Sequence, residues 1–460
     1  MCGIFGAINK RESFNREHYL KFIQLTDSVA YRGPDSSGYK AINTRTNRID
    51  ENCFNVFLGH RRLSIIDLSN DGNQPMSIDK FHLIYNGEIF NYIEIREELK
   101  NEGVNFISES DTEVIIKLYE KHSEKSFDKL NGMWAFILVD TRNNKVIISR
   151  DRFSIKPLFL YESDHAIYFS SEIKQLLPLL ESIEVNSNSI YNYIQQSLVD
   201  FNEETFFKNV YRVPPATTIS IFLNDYKKEY TKYWDYHFEE SLTEKQSFEK
   251  FLYLFEDSVR IRLRSDVEVG SLLSGGLDSS AITLKANKYL EQGISSFSVI
   301  SNDKSISEEK FIDILIKKAN VKCFKLSIED KDIINNLSKT IFAQGEPFPT
   351  FSVVAQFSIL EKIKTQSDIK VVLSGQGGDE ILLGYLKYYF FYLKNLAIGG
   401  KLKRLSYEIL GSLFNKTILH QFNIQLAKRY IPFMNKKSFQ FLLAEGNNEK
   451  IWSSHLISQK

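Results

Sequence analysis

Two successive folds are predicted for this chain: a strand-rich α+β layer over about the first 200 residues, then a doubly wound parallel α/β sheet from about residue 235. Three observations predict them. Short apolar runs separated by turn signals fill the N-terminal part. From about Tyr233 such runs alternate with helix-length segments, the pattern of strands joined by crossover helices. Between the two, Pro214 and Pro215 precede a polar stretch at 239–246, so the boundary is expected between Pro214 and Trp234. The expected domains are 2–215 and 235–460.

In order, strands are expected at 3–8, 56–59, 82–85, 133–139, 146–149 and 166–170, with helices at 92–101 and 112–122. A helix at 248–264 then leads into strands at 267–273, 295–300, 322–326 and 370–374. The most apolar stretch, 381–400, is interrupted by Lys387 and Lys394 and reads as a buried or partner-facing helix, with no membrane span expected.

Of the 460 residues, 43% are apolar and 25% charged, which excludes a disordered chain. Lys and Arg number 58, as do Asp and Glu, so nothing points to a polyanionic partner and no nucleic acid is expected. Charge is uneven, with twelve Lys and Arg against three Glu in 381–460. That basic segment reads as a solvated surface or as a face for acidic packing partners. Three cysteines, Cys2, Cys53 and Cys323, make no disulfide framework and suit a reducing cytoplasm. The N-terminus lacks the basic start and apolar core of a signal peptide.

Cys2 follows the initiator methionine. Removal of Met1 would give one residue both a thiol and an α-amino group, whose ordinary pKa of about 8 suits it to take the thiol proton. A second-position cysteine means little alone; its company is what matters. Cys2-Gly3-Ile4-Phe5-Gly6 is followed by Arg32-Gly33-Pro34-Asp35, His60-Arg61-Arg62-Leu63-Ser64-Ile65-Ile66-Asp67, Tyr85-Asn86-Gly87-Glu88-Ile89-Phe90-Asn91 and Ser110-Asp111-Thr112-Glu113. Arg150-Asp151-Arg152-Phe153-Ser154-Ile155-Lys156-Pro157 and Ser171-Glu172-Ile173-Lys174 complete the series. Together these motifs resemble the glutamine-hydrolysing asparagine synthetases, from residue 1 to about 390.

The resemblance implies an N-terminal-nucleophile (Ntn) α+β sandwich ahead of an ATP-pyrophosphatase domain. It implies that Cys2 attacks the glutamine amide while the Asn86 side chain and the Gly87 N–H stabilise the oxyanion, each such donor being worth about 3–4 kcal/mol. Arg62 would hold the α-carboxylate and Asp111 the α-ammonium, with Leu63, Ser64, Ile65, Ile66 and Glu88 completing the glutamine pocket. Arg32 to Asp35 would order a loop over it. In isolation these residues have plainer readings: Arg62 as a strand-end surface residue, Asn86-Gly87 as a hairpin turn, Asp111 as a helix cap. Cys53 reads as a packed or surface thiol.

Leu273-Ser274-Gly275-Gly276-Leu277-Asp278-Ser279 runs from an expected strand through a glycine turn into a helix, a cradle for phosphate. The Gly-Lys-Ser/Thr ending of a Walker loop is absent. The run resembles the pyrophosphate loop of enzymes that split ATP into AMP and pyrophosphate. Leu273 and Val299 match positions that pack on adenine; Ser374 and Gly375 open a second strand-turn-helix; Asp278 and Asp379 are the carboxylates for Mg²⁺. Two departures from the family stand out. Gln376 replaces a glutamate of the aspartate-using members, and the similarity fades after Tyr385, where a helical lobe with an Arg-x-Lys segment is expected. That would leave apolar surface at 388–392 and 439–443 exposed.

The expected activity is ATP-dependent amidation of aspartate with glutamine as nitrogen donor, ammonia passing between the domains. Partners are then glutamine, aspartate and ATP, and the assembly allows a homodimer. The alternatives are another carboxylate, such as a polysaccharide uronic acid, and a glutaminase lacking synthetase activity.

Overall fold

Along the N-terminal strands, alternate side chains turn to opposite faces, so each strand feeds two cores at once. In β1 (Gly3–Asn9), Ile4 and Ile8 enter an inner core while Phe5 and Ala7 pack on the outer side. The computed structural model describes residues 1–237, 242–300, 308–382 and 384–415. The chain divides into a unit Met1–Ser374 and a unit Gly375–Lys460.

In the first unit, β1 is followed by α1 (Arg16–Asp27), β2 (Ser36–Asn43), β3 (Arg48–Ile49), β4 (Val56–Arg62), β5 (Met76–Ile78) and β6 (Phe81–Ile89). Next come α2 (Tyr92–Asn101), α3 (Asp111–His122), β7 (Gly132–Asp140), β8 (Lys145–Arg150), β9 (Phe159–Glu162) and β10 (Ala166–Ser170). The helix α4 (Ser187–Gln196) precedes β11 (Val210–Arg212), β12 (Thr217–Phe222) and β13 (Lys228–Lys232). They form two antiparallel sheets, ordered β11-β9-β10-β1-β4-β2-β3 and β13-β12-β8-β7-β6-β5.

Ile4, Ile8, Val56 and Leu58 meet Ile84, Ile137, Val139 and Ile148 between the sheets. The two layers approach so closely that a Cβ on Gly6 would lie 2.5 Å from the Ile137 side chain. On one outer face α1 lays Phe22 on Phe5 and Phe57; on the other, α2 and α3 cover Trp134, Phe136 and Leu138. This α/β/β/α layering is the Ntn sandwich. The six-stranded sheet continues through β12 and β13 to Lys232, inside the interval Pro214–Trp234 expected for the boundary and past the expected domain end at 215.

Downstream, α5 (Glu244–Ile261), β14 (Val269–Leu272), α6 (Leu277–Tyr289), β15 (Ser295–Ile300), α7 (Glu309–Ala319), β16 (Lys322–Ser327), α8 (Asp330–Gln344), α9 (Ser352–Gln366) and β17 (Val371–Leu373) alternate as expected. The sheet is parallel, ordered β16-β15-β14-β17, with helical crossovers between its strands. In the second unit, α10 (Gly378–Ile381), α11 (Leu386–Ile398) and α12 (Leu402–Phe414) are described. The Tyr389 and Tyr392 hydroxyls of α11 bond to Glu408 of α12, so the apolar surface expected at 388–392 is partly covered. The stretch at 439–443 lies outside the described residues.

Candidate functional site

Cys2 stands just before β1, which is pinned at its start by the Ile4 N–H donating to Ser171 Oγ at 2.9 Å. Its thiol borders a cavity of about 250 Å³ that Leu63, Asn86, Gly87, Glu88 and Asp111 also line. The Leu63 N–H points at Cys2 Sγ from 3.4 Å. Asn86 is fully buried, yet neither its Oδ1 nor its Nδ2 has a hydrogen-bond partner among the described residues. A buried amide without partners costs free energy, which makes Asn86 a candidate for ligand contact. Asn86 and Gly87 are no hairpin turn. They pair mid-strand with Ala135 and Trp134, and a Cβ on Gly87 would lie 2.2 Å from the Met133 carbonyl oxygen.

Asp111 opens α3, capped by Ser110. Its carboxylate is buried, accepting from the Tyr85 hydroxyl at 2.9 Å and the Ile89 N–H at 3.0 Å. Burial nevertheless pushes its pKa up. Glu88 is likewise raised, to about 7, by burial, with Lys156 opposing. Burial lowers Lys156, while Glu88 and the nearby Cys2 pull it back up. Lys156 was quoted in a motif but given no role by the sequence. Asp151 places it by accepting the N–H groups of Trp134, Phe153, Ile155 and Lys156, so a buried carboxylate shapes the whole 151–156 loop.

Arg62 reaches the cavity, but its guanidinium is engaged elsewhere. Nη1 donates to Ser69 O at 2.9 Å and Asn73 Oδ1 at 3.0 Å, and Nη2 to the Ile66 and Asp67 carbonyls. The fork expected for a carboxylate thus ties down the 66–73 loop. Ile65 and Ile66 line the cavity; Ser64 does not, its N–H being held by Asp35 at 2.8 Å. Asp35 also pairs with Lys370 at 2.8 Å. Together with Val371 and Val372, Lys370 brings β17 of the parallel sheet to the same cavity. A second cavity of about 940 Å³ shares Met1 with the first and runs past Arg32 and Glu172 to Glu346 and Val353. Burial lowers the Met1 amine to about 5. Cys53 is an exposed free thiol.

The loop after β14 has the geometry of an anion cradle. Gly275 adopts φ +86°, where a side chain is strained, and Gly276 caps α6 without a side-chain bond to its first N–H groups. Ser279 Oγ accepts from the Ser274 N–H at 3.2 Å and lies 2.9 Å from Ser274 Oγ, which shapes the turn. Leu273 is 1% exposed, its N–H bonded to Phe297 O, whereas Val299 is 36% exposed at the end of β15. Of the two residues expected to pack on adenine, only Val299 presents surface. Asp278 sits in the first turn of α6. In the second unit, Asp379 sits in the first turn of α10, its carboxylate against Gly384, and Ser374 ends the first unit just before Gly375. Among the described residues no three His, Cys, Asp or Glu side chains cluster as a metal site. No described helix is long and apolar enough to cross a membrane.

The glutamine amidotransferase domain family matches residues 1–234, and the asparagine synthase family matches 250–450. The putative glutamine-hydrolysing asparagine synthetase 2 of Methanocaldococcus jannaschii is 30% identical over 84% of this chain and 76% of its own length. This chain belongs to the glutamine-hydrolysing asparagine synthetase family. Asparagine synthetase 1 of Bacillus subtilis is 32% identical over 84% of this chain, which spans 59% of that relative's length. Amidase chyE of Penicillium rubens is 28% identical over the same share of this chain and 59% of its own.

Proposed function

We propose that this family member is a glutamine-dependent asparagine synthetase. Its glutaminase part runs to about residue 234 and its synthetase part starts near Thr243, both acting in the cytoplasm. With Met1 removed, the Cys2 thiolate attacks the glutamine amide, the Asn86 side chain and the Gly87 N–H stabilise the oxyanion, and Asp111 holds the α-ammonium. The observation that carries this reading is the fully buried, unpartnered Asn86 amide in the cavity that Cys2 borders. Lys156 and Glu88 balance charge beside the thiol. For the carboxylate of glutamine, Arg62 must exchange one of its loop carbonyls, so the 66–73 loop shifts on binding.

Ammonia then leaves past β17, whose Val371 and Val372 line the Cys2 cavity. In the synthetase part, the Ser274–Ser279 turn and the α6 N-terminus take the pyrophosphate of ATP, Val299 packs on the base, and Asp278 supplies an oxygen to Mg²⁺. The bound cation would neutralise phosphate charge while the acceptor carboxylate becomes an acyl-adenylate. Aspartate is the proposed acceptor. A second reading, amidation of another carboxylate, is favoured by Gln376, since an amide cannot act as a base at that turn.

The test measures pyrophosphate and glutamate together, from ATP, Mg²⁺ and glutamine with or without aspartate. Aspartate-dependent pyrophosphate accompanied by asparagine supports the reading; aspartate-independent turnover replaces the acceptor; glutamate alone leaves only a glutaminase. Cys2→Ala should abolish glutamate release and leave ammonia-driven pyrophosphate release, and loss of both would show that the two reactions are inseparable.

A further inference from the structure

A continuous line of charged contacts joins the Cys2 backbone to the synthetase part. Arg32 Nε donates to the Cys2 carbonyl at 2.9 Å, and Arg32 Nη1 pairs with Glu172 Oε1 at 2.9 Å. Glu172 Oε2 receives Lys174 Nζ at 2.8 Å. Lys174 Nζ in turn donates to the Phe342 carbonyl at 2.6 Å and lies 3.7 Å from the centroid of the Phe342 ring. Phe342 belongs to the last turn of α8, where carbonyls lack intrahelical partners and the helix dipole concentrates negative charge. An ammonium there meets a helix end, an aromatic face and a carboxylate at once.

Little solvent screens this line. The Arg32 and Glu172 side chains are each 9% exposed and Lys174 is 15% exposed. Removing one partner from so buried a set leaves the others undercompensated and free to re-pair. Arg32 fixes the carbonyl of Cys2, and with it where the thiol stands relative to Asn86 and Gly87. Oxyanion geometry tolerates little displacement.

We propose that Lys174 is a positioning residue that makes the aim of Cys2 depend on the seating of α8, so that glutamine is cleaved at full rate only when the synthetase part is docked. The inference rests on the glutaminase reading of Cys2 given above. Lys174 touches no reacting atom. Together with the Tyr31 hydroxyl, which donates to Glu172 Oε2 at 2.5 Å and accepts from Lys174 Nζ at 2.8 Å, it holds Glu172 on Arg32 while α8 holds Lys174.

The experiment uses the full chain and follows glutamate release as a function of glutamine, with melting curves as a folding check. Lys174→Met should lower kcat about tenfold while KM for glutamine stays within about twofold, because aim is lost and binding is not. Lys174→Arg should restore most of the rate, since a guanidinium keeps the charge and the stacking. Phe342→Ala, at a ring 60% exposed and therefore tolerant of change, should cost about threefold and add nothing to Lys174→Met, as expected of contacts in one line. Unchanged kcat in Lys174→Met, a loss confined to KM, or additive losses would overturn the proposal. Wild type that releases no glutamate would overturn the glutaminase reading itself, an outcome distinct from any difference among the variants.

Discussion

Burial holds the Glu88 carboxyl at about 7, against an ordinary value of 4.5. Between those two pH values the folded chain keeps a proton that the unfolded chain has released, so the Glu88 contribution to stability is lost as pH rises through the window. Glu88→Gln should remove this loss, so that its denaturant midpoint falls less than that of wild type between pH 5 and pH 8; parallel curves would refute it. Cys2, Asn86, Gly87 and Asp111 could be picked out as candidates in the sequence because their motifs are long, and the structure brings all four to one cavity. Lys156 could not, since nothing in a lone lysine says that four N–H groups bound to Asp151 will bury it beside a thiol. The present use of Arg62 was equally hidden, because its carbonyl partners come from the loop that follows it.

At the scale of elements, β6 shows what an apolar run cannot say. The run ends at Tyr85, but pairing with β7 continues through Asn86, Gly87 and Glu88 to Ile89, carrying polar residues into the core at fixed register. Gly87→Ala would press a Cβ against the Met133 carbonyl and the Tyr85 ring, both held by the sheet. It should cost about 1–3 kcal/mol of stability and most of the glutamate release, read by chemical denaturation and assay. Full stability in that variant would mean that the two strands can separate cheaply. The strands β2 and β12 escaped the sequence reading because Ser, Thr, Gly and Lys interrupt their apolar positions. They are strands because neighbouring strands offer them hydrogen bonds. By contrast, the helix over 92–101 and the strand over 166–170 were legible to the residue, each having its own period and end signals.

Across the Met1–Ser374 unit, the glutaminase and synthetase parts are joined by contacts of unequal worth. Arg212 and Glu346 pair at 2.5 Å with side chains 10% and 9% exposed, and Glu346 also accepts the Phe206 N–H. Arg212→Met would strand a buried carboxylate and should cost about 3–5 kcal/mol, less at low pH where Glu346, already raised by burial, is protonated. Lys370 and Asp35 are 37% and 28% exposed. Lys370→Ala should therefore change stability by less than about 1 kcal/mol, and by less still in high salt. Equal effects of the two substitutions, measured by denaturant titration, would show that burial does not rank these contacts. The sequence by itself determined the two fold classes, because strand period and helix ends are local properties of the chain, and it brought Cys2, Asn86, Gly87 and the Ser274–Ser279 turn forward as candidates through motifs shared with a family. Only the tertiary structure decided that the first sheet extends to Lys232, that Arg62 ties a loop, that β17 borders the Cys2 cavity and that Lys174 reaches α8. Apart from the Arg62 contacts, which reach carbonyls four to seven positions on, those depend on pairings between residues tens to hundreds of positions apart, and none of them is encoded by periodicity or spacing.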